Sequence, residues 1–177
     1  MKKAYGFTLV EIMVVIVILG VLAAVAVPKL FGMVAKAKVA EIQAATGTYI
    51  HAQDAYLQGN SAIGNWKDIG FAPPSSNVFD YSGCVQEKVP SQEGTESVIG
   101  LLASNRIKLN DCEANGAWAV LMTPQDEHHL NYEQIVSPDK CASLTPNWKG
   151  GTLASRNCPA TEATTPSDPE PAPAEQP

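Results

Sequence analysis

The sequence predicts an α+β fold in which one long N-terminal helix packs its C-terminal half on a small antiparallel β-sheet. Residues 12–27 are an apolar run without a charged side chain, a helical period continues towards residue 58, and short alternating segments follow between residues 60 and 158. Helices and sheets that each bury one face pack as layers around a shared core. The chain joins segments of different composition, which excludes a uniform soluble globule.

The overall charge argues against a nucleic-acid-binding domain. The 177 residues include 12 basic and 18 acidic side chains, which gives a formal charge of −6, whereas nucleic-acid-binding domains normally present a basic face. Charged residues make up 17% of the chain and apolar residues 45%. Since about a quarter of an average domain is charged, the apolar N-terminal run accounts for much of this deficit.

The N-terminal residues predict a short basic leader followed by a helix of membrane-spanning length. Lys2 and Lys3 lie in the leader, and the 22 residues of the range 7–28 are close to the roughly 20 that cross a bilayer as a helix. The positive-inside bias places the two lysines in the cytoplasm and the rest of the chain outside. An ordinary secretory signal peptide is the alternative, because residues 24–26 form a small-x-small cleavage pattern.

Glu11 is the residue that an ordinary signal peptide does not explain. An acidic side chain costs roughly 2.5 to 3.5 kcal/mol at the centre of a membrane helix. Cleavage between Gly6 and Phe7 would give Phe7 a new α-amino group one helical turn before Glu11, where the helix dipole favours a carboxylate. In a bundle of staggered identical helices, this amino group can pair with Glu11 of a neighbour, which makes a buried charge tolerable.

At these residues the sequence resembles the type IV pilins and the related type II secretion pseudopilins. The motif is Gly6-Phe7-Thr8-Leu9-Val10-Glu11 followed by the apolar run, with Gly20 and Pro28 where the family has helix-weakening residues. The resemblance implies that prepilin peptidase cleaves after Gly6, that Phe7 becomes the N-methylated terminus, and that Glu11 and Phe7 guide subunit assembly. It also implies local melting between Gly20 and Pro28 in a filament, for which a simple kink is the alternative.

Residues 29–59 predict the amphipathic second half of the helix, and Gly59-Asn60 is a plausible stop. A helix over residues 7–58 would be about 78 Å long, more than a domain of this size requires. Its first half must therefore be buried in a membrane and then among other copies of the chain. The stripe expected to face the sheet has spacings of three and four: Ala35, Val39, Ile42, Thr46, Tyr49, Gln53 and Tyr56.

Residues 60–158 predict a small extracytoplasmic head, the architecture that the resemblance to pilins also implies. Val78–Tyr81 and His129–Val136 alternate apolar and polar side chains and predict strands. Ala117–Thr123, an apolar run that ends before Pro124, also predicts a strand and is expected to form a hairpin with His129–Val136. Val98–Ala103 suits either a strand or a short helix. Together with the long helix, the head gives a lollipop or ladle shape.

The four cysteines, Cys84, Cys112, Cys141 and Cys158, all lie in the head. In an exported domain an even number of cysteines favours disulfides, and four allow three pairings. We expect Cys84–Cys112 and Cys141–Cys158, because sequential pairing closes the shortest loops; the second pair also resembles the C-terminal clasp of many pilins. A zinc site is the alternative, but the sequence has no Cys-x-x-Cys pair.

We expect no catalytic residues, no metal and no cofactor. Residues 126–129 contain metal-ligand side chains, but adjacent residues on one turn rarely converge on one ion, so a solvated turn is expected. Trp66, Trp118 and Trp148 are expected to pack in the core rather than to form a ligand platform.

Residues 159–177, with six prolines and four acids, predict an acidic mobile tail. Its Thr and Ser residues are candidates for O-glycosylation, with an unmodified solvated spacer as the expected state.

Three functions follow from this pattern. The first is a major pilin: an inner-membrane precursor that prepilin peptidase cleaves and that pilus assembly machinery polymerises into a helical homopolymer on the bacterial surface, for attachment or motility. The alternative is the major pseudopilin of a type II secretion system, although the cysteines and tail depart from that pattern, in which a calcium-binding loop replaces disulfides. A secreted binding protein with a signal peptide is the fallback. No sequence-specific nucleic-acid binding is predicted, and the surface ligand is unknown.

Overall fold

The computed structural model describes residues 7–153 and Cys158, and its first element is the helix α1 (Leu9–Asn60). This helix has 52 residues and is therefore about 78 Å long. The long helix predicted over residues 7–58 is confirmed. Only its C-terminal half contacts the rest of the chain, so α1 projects from the head as the handle of the predicted ladle.

Local hydrogen bonds cap both ends of α1. Thr8 precedes the first turn with its side chain accepting a hydrogen bond from the Glu11 N–H, which satisfies one of the free donors of a helix N-terminus. Ser61 ends the helix in the left-handed conformation, with φ 46°, and donates its N–H to the Leu57 carbonyl at 2.9 Å. Between these ends the helix continues through Pro28.

The head contains a five-stranded sheet in the order β2-β4-β5-β6-β7, which is antiparallel except for the β6–β7 pair. β1 and β3 form a separate antiparallel pair. The α+β fold predicted from the sequence is therefore confirmed. The strands are β1 (Ala62–Ile63), β2 (Phe79–Ser82), β3 (Val89–Pro90), β4 (Val98–Asn105), β5 (Ala117–Pro124), β6 (Leu130–Ser137) and β7 (Lys149–Gly150), with a 3₁₀-helix at Asp139–Leu144 between the last two.

The predicted strands correspond to β2, β4, β5 and β6. The ambiguous segment from Val98 is a strand, and β5 and β6 form the predicted hairpin, in which Trp118 lies opposite Val136. Sequence reasoning missed β1, β3 and β7. Each of these strands has two residues, too few for an alternating pattern to be visible.

The main core lies between α1 and the sheet. Tyr49 of α1 meets Phe71 edge to face at 5.3 Å between ring centroids, and Phe79 meets Trp118 in the same way at 5.7 Å, a favourable geometry for aromatic pairs. Around these rings lie fully buried aliphatic side chains from both layers: Val39, Ile42, Leu101, Val120, Met122 and Val136.

The stripe predicted along α1 is correct through Gln53 and wrong at its last member. Tyr56 is only half-buried, whereas Leu57 is 1% exposed and Ala45 is also buried. Each residue advances about 100° around a helix, so a step of four from Gln53 stays closer to the buried line than a step of three. The sheet follows that line, and Leu57 takes the position expected for Tyr56.

Two half-buried tyrosines of the sheet donate hydrogen bonds to carboxylates of α1. Tyr81 of β2 donates its hydroxyl to Glu41 at 2.8 Å, and Tyr132 of β6 donates to Asp54 at 2.6 Å. Burial, together with the neighbouring carboxylates, raises the pKa of both tyrosines above the usual value near 10. These hydrogen bonds hold the helix at two separate strands, so its orientation on the sheet is fixed.

Candidate assembly surface

Residues 7–34, almost all of them in α1, form an apolar rod that the described chain leaves uncovered. Large apolar side chains along it are exposed, from Phe7 at 81% to Val34 at 45%, and the first buried residue of α1 is Ala35. The rod contains only two charged residues, Glu11 and Lys29. An apolar surface of this extent marks a contact with a membrane or with other protein chains.

The apolar rod has the length and composition of a membrane-spanning helix. Residues 7–27 extend for about 31 Å, which matches a hydrocarbon layer of about 30 Å. Since a helix satisfies its backbone hydrogen bonds internally, it is stable in lipid. The same surface suits a bundle of identical helices, so the rod is compatible with both a membrane and a filament core.

Glu11 lies at the N-terminus of the apolar rod in a capping box with Thr8. Its Oε2 accepts hydrogen bonds from the Thr8 N–H at 2.8 Å and from the Thr8 hydroxyl at 2.7 Å, and the Thr8 Oγ1 accepts from the Glu11 N–H at 3.3 Å. The carboxylate therefore sits beside the positive end of the helix dipole, where a negative charge is favoured. It remains exposed, so a donor from another chain can reach it.

The capping partner Thr8 was missed by the sequence reasoning, although Thr-x-x-Glu ahead of an apolar run is a recognised N-terminal signature.

Phe7 is described and exposed, while Gly6 lies outside the described residues. Gly20 and Pro28 both lie inside α1. Pro28 has no N–H to donate to the preceding turn, and Gly20 lowers helix propensity, but α1 is continuous through both.

The disulfide pairing predicted from loop length is wrong. The structure joins Cys84 to Cys158 and Cys112 to Cys141, instead of the expected Cys84–Cys112 and Cys141–Cys158. None of the four cysteines is free. Loop length decides how costly a bridge is in the unfolded chain, but the folded sheet decides which sulfurs come together.

The sheet topology explains the observed pairs. Cys112 lies in the β4–β5 connection, and Cys141 lies in the 3₁₀-helix after β6. The antiparallel β5–β6 hairpin brings these two segments to the same end of the sheet, where the Cα atoms of the two cysteines are 4.6 Å apart. After β7, Leu153 is buried on the sheet face that α1 does not cover, and Cys158 packs on the same face, where it joins Cys84 just after β2.

The N-terminal segment, which includes most of the apolar rod, is similar to a known family motif. A family model described as the prokaryotic N-terminal methylation motif matches residues 1–27. A fimbrial protein of Pseudomonas aeruginosa is 32% identical over 113 residues, 59% of this chain and 72% of that protein. The type IV major fimbrial protein FimA of Dichelobacter nodosus is 31% identical over 137 residues, 64% of this chain and 83% of that protein. The chain belongs to the type IV pilin family.

Membership has direct consequences for this pilin. The family is structural and not enzymatic, and it implies processing by prepilin peptidase and polymerisation into a filament. The type IV major pilin protein PilA of Myxococcus xanthus is 34% identical over 77 residues, which are 43% of this chain and 35% of that protein. No solved structure matched the chain.

The other residues that the sequence singled out lie in the head of the pilin. Trp118 and Trp148 are buried and Trp66 is half-buried, where its Nε1 donates to the Gly100 carbonyl at 3.1 Å. These tryptophans are therefore core residues, as predicted.

Residues 126–129 form an exposed turn of the head. The Asp126 carboxylate accepts a hydrogen bond from the His128 N–H at 2.7 Å, which, with the His129 ring, lowers the pKa of Asp126. Within residues 7–153, no group of three or more His, Cys, Asp or Glu side chains is arranged to hold a metal ion.

Proposed function

We propose that this pilin is the major subunit of a type IV pilus and that it polymerises through the apolar rod into an extracellular filament for attachment or motility. The uncovered rod is the observation that carries the proposal, because every large apolar side chain of residues 7–34 is exposed in the described chain. Membrane lipid covers this surface in the precursor, and rods of neighbouring copies cover it in the filament. The head then forms the outer surface.

Processing prepares the N-terminus for docking. Prepilin peptidase cleaves between Gly6 and Phe7, and the new α-amino group of Phe7 is methylated, as the matched motif indicates for the family. In the filament, this amino group pairs with the exposed Glu11 carboxylate of a neighbouring copy. Pairing offsets the cost of placing both charges in an apolar bundle and fixes the axial register of the two helices.

The helix-weakening residues give the rod its adaptability. Between Gly20 and Pro28 the helix lacks one backbone hydrogen bond and has reduced propensity. We expect this segment to unwind locally when copies pack in the filament, while the isolated chain keeps it helical. Local unwinding allows the rods to follow the curvature of the filament core without disturbing the Glu11 register at one end or the head at the other.

The decisive experiment is the mass of the mature N-terminus combined with electron microscopy of sheared material. The pilus proposal requires a mature chain that begins at methylated Phe7 and long extracellular fibres. Short fibres that stay in the envelope, with the same N-terminus, would instead indicate a pseudopilin of a secretion system. A mature chain that begins at Val27 would contradict both and identify residues 1–26 as an ordinary signal peptide.

A pair of variants separates docking from helix capping. Glu11→Ala removes the docking carboxylate and should abolish or greatly reduce fibre yield while leaving the amount of membrane-inserted protein unchanged. Thr8→Ala removes the capping hydroxyl but keeps the carboxylate, so it should assemble far better than Glu11→Ala. Equal fibre yields from Glu11→Ala and the wild type would show that Glu11 has no role in docking.

A further inference from the structure

Exposed charges in the head form four ion pairs within the described residues, whereas the lysines of α1 form none. Lys29, Lys36 and Lys38 are exposed and make no ion pair with any residue in the described ranges. We define these three lysines as the basic collar. The ion pairs of the head are Arg106–Asp80, Lys108–Glu113, Lys149–Glu133 and His129–Asp126.

The basic collar lies where the apolar rod enters the head. At about 100° per residue, Lys36 and Lys38 flank the stripe that α1 buries through Ala35 and Val39, so they point to either side of the sheet. Lys29 and Lys36 also line a surface groove together with Asp111, but neither of them forms an ion pair with it. The collar therefore presents net positive charge to the surroundings.

Charge of the opposite sign lies at the other end of the head. The loop after β3 and the β5–β6 turn meet there, because the Ser91 hydroxyl donates to the Asp126 carbonyl at 2.6 Å. The turn also contacts the end of α1, since Gln58 Nε2 donates to the His128 carbonyl at 3.1 Å. We define the acidic tip as the three exposed carboxylates of these two loops that lack an ion pair within the described chain: Glu93, Glu96 and Glu127.

The basic collar and the acidic tip cannot meet within one chain. Lys36 and Gln58 are 22 residues apart on one helix, which corresponds to about 33 Å. A second copy that points in the same direction and is displaced along the filament by that distance or more would bring its collar close to the tip of the first. Such a contact would satisfy both groups of charges at once.

We propose that the basic collar of one pilin copy contacts the acidic tip of another copy in the filament. This inference rests on the proposed filament function and adds a second contact that sets register, on the outer layer instead of in the core. Each exposed ion pair contributes little alone, but complementary charges select one relative position because displaced copies lose the attraction or bring like charges together.

Zero-length crosslinking with a carbodiimide, which joins a lysine to a carboxylate in contact with it, tests the contact in isolated wild-type filaments. Mass spectrometry should find peptides that link Lys36 or Lys38 to Glu93, Glu96 or Glu127, in filaments but not in detergent-dispersed subunits. The link between Lys149 and Glu133, which form an ion pair within one chain, is the internal control. Recovery of the control link without any link from collar to tip would overturn the proposal.

Charge reversal provides a second test. Lys36→Glu with Lys38→Glu, or Glu93→Lys with Glu96→Lys, should each reduce the yield of sheared filaments several-fold, and the four changes together should restore it. Lys140→Glu reverses an exposed lysine without an ion pair in the described chain, outside the collar, and should not change the yield. Reversal of either side without effect would contradict the proposal, as would a loss that the combined variant does not repair.

The controls keep this inference separate from the proposed function. If the wild type forms no filaments, the pilus proposal fails first; if wild-type filaments form and the reversals have no effect, only the contact between collar and tip fails. An interaction of the collar with anionic lipid is also distinguishable. It would lower the membrane-bound fraction of the Lys36→Glu, Lys38→Glu variant without rescue by the changes at the tip, and that result would overturn the contact between copies.

Discussion

The two halves of α1 belong to one continuous helix, but only the second half is covered by the rest of the described chain. Residues 7–34 expose every large apolar side chain, whereas from Ala35 onwards one stripe is buried against the sheet. The first half is apolar around its whole circumference, and the second alternates a buried face with exposed lysines and polar residues. Helices that are apolar on all sides need a surrounding apolar environment, which the described residues do not supply.

This difference in burial assigns the two halves of α1 to different tasks, the second half to folding of the head and the first half to contacts outside it. The second half of α1 stabilises the head, because its buried side chains and its two tyrosine–carboxylate contacts belong to the folded unit. The first half buries none of its large apolar side chains against the head, so these side chains are available for contacts outside the described chain. The same type of substitution should therefore lower the stability of the head when it is made in the second half, and affect assembly instead when it is made in the first half.

The largest expected effect comes from matched substitutions of isoleucine. Ile42→Ala removes a fully buried side chain and should destabilise the head by about 2 to 5 kcal/mol, since it leaves a cavity in the core. Ile16→Ala, in the exposed rod, should leave head stability unchanged. All three tryptophans lie in the head, so unfolding followed by tryptophan fluorescence in detergent reports on this region alone.

The comparison fails if Ile16→Ala lowers the unfolding midpoint as much as Ile42→Ala does. The rod would then contribute to head stability, and the separation between folding and assembly would be wrong. Fibre yield provides the complementary measurement, in which Ile16→Ala should have an effect at normal levels of folded precursor.

A smaller effect is expected at the contact between Tyr132 and Asp54. Tyr132→Phe removes the hydroxyl that donates to Asp54 and should destabilise the head by about 1 to 2 kcal/mol, at the low end for hydrogen bonds to charged groups because both are partly exposed. Asp54→Asn keeps an acceptor oxygen and should cost less. Urea unfolding of the two variants checks this order, and the reverse order would contradict the role assigned to the hydroxyl.

The cap at the start of the rod should have a local effect only. Thr8→Ala removes the capping hydroxyl and should weaken the first turn of α1 by about 1 kcal/mol. Amide hydrogen exchange in the first turn should become a few times faster, while exchange in the head stays as in the wild type. Thr8→Ser retains the hydroxyl and is the matched control; faster exchange in this variant as well would mean that the cap is not responsible.

Alkaline pH should loosen the second half of α1 gradually. Folding raises the pKa of Tyr81 and Tyr132, so the stabilisation from their neutral forms is complete below the unfolded value near 10 and is lost as pH rises further. The urea midpoint should be level between pH 8 and 9 and fall above pH 10. Tyr132→Phe should reduce that slope; an identical slope in the variant would exclude Tyr132 as a source.

Features that arise from local pattern could be predicted from consecutive residues alone. The apolar rod, the long helix, the unusual acid at Glu11 and the family signature all lie within consecutive residues, and each follows from helical period, length and charge. The strands β5 and β6, with eight residues each, were also predicted, whereas the segment of β4 suited either a strand or a short helix. Composition likewise indicated that the cysteines form disulfides, but not which ones pair.

Features that depend on residues far apart in the sequence could not be predicted before the fold was known. Cys84 pairs with Cys158 because Leu153 and Cys158 pack on the face of the sheet that α1 does not cover, which no loop-length argument reveals. Leu57 replaces Tyr56 because the sheet follows one line along α1. The acidic tip exists because two loops separated by β4 and β5 meet at the end of the helix. Non-local contacts of this kind are set by the whole packed core, whereas the rod was evident from its own residues.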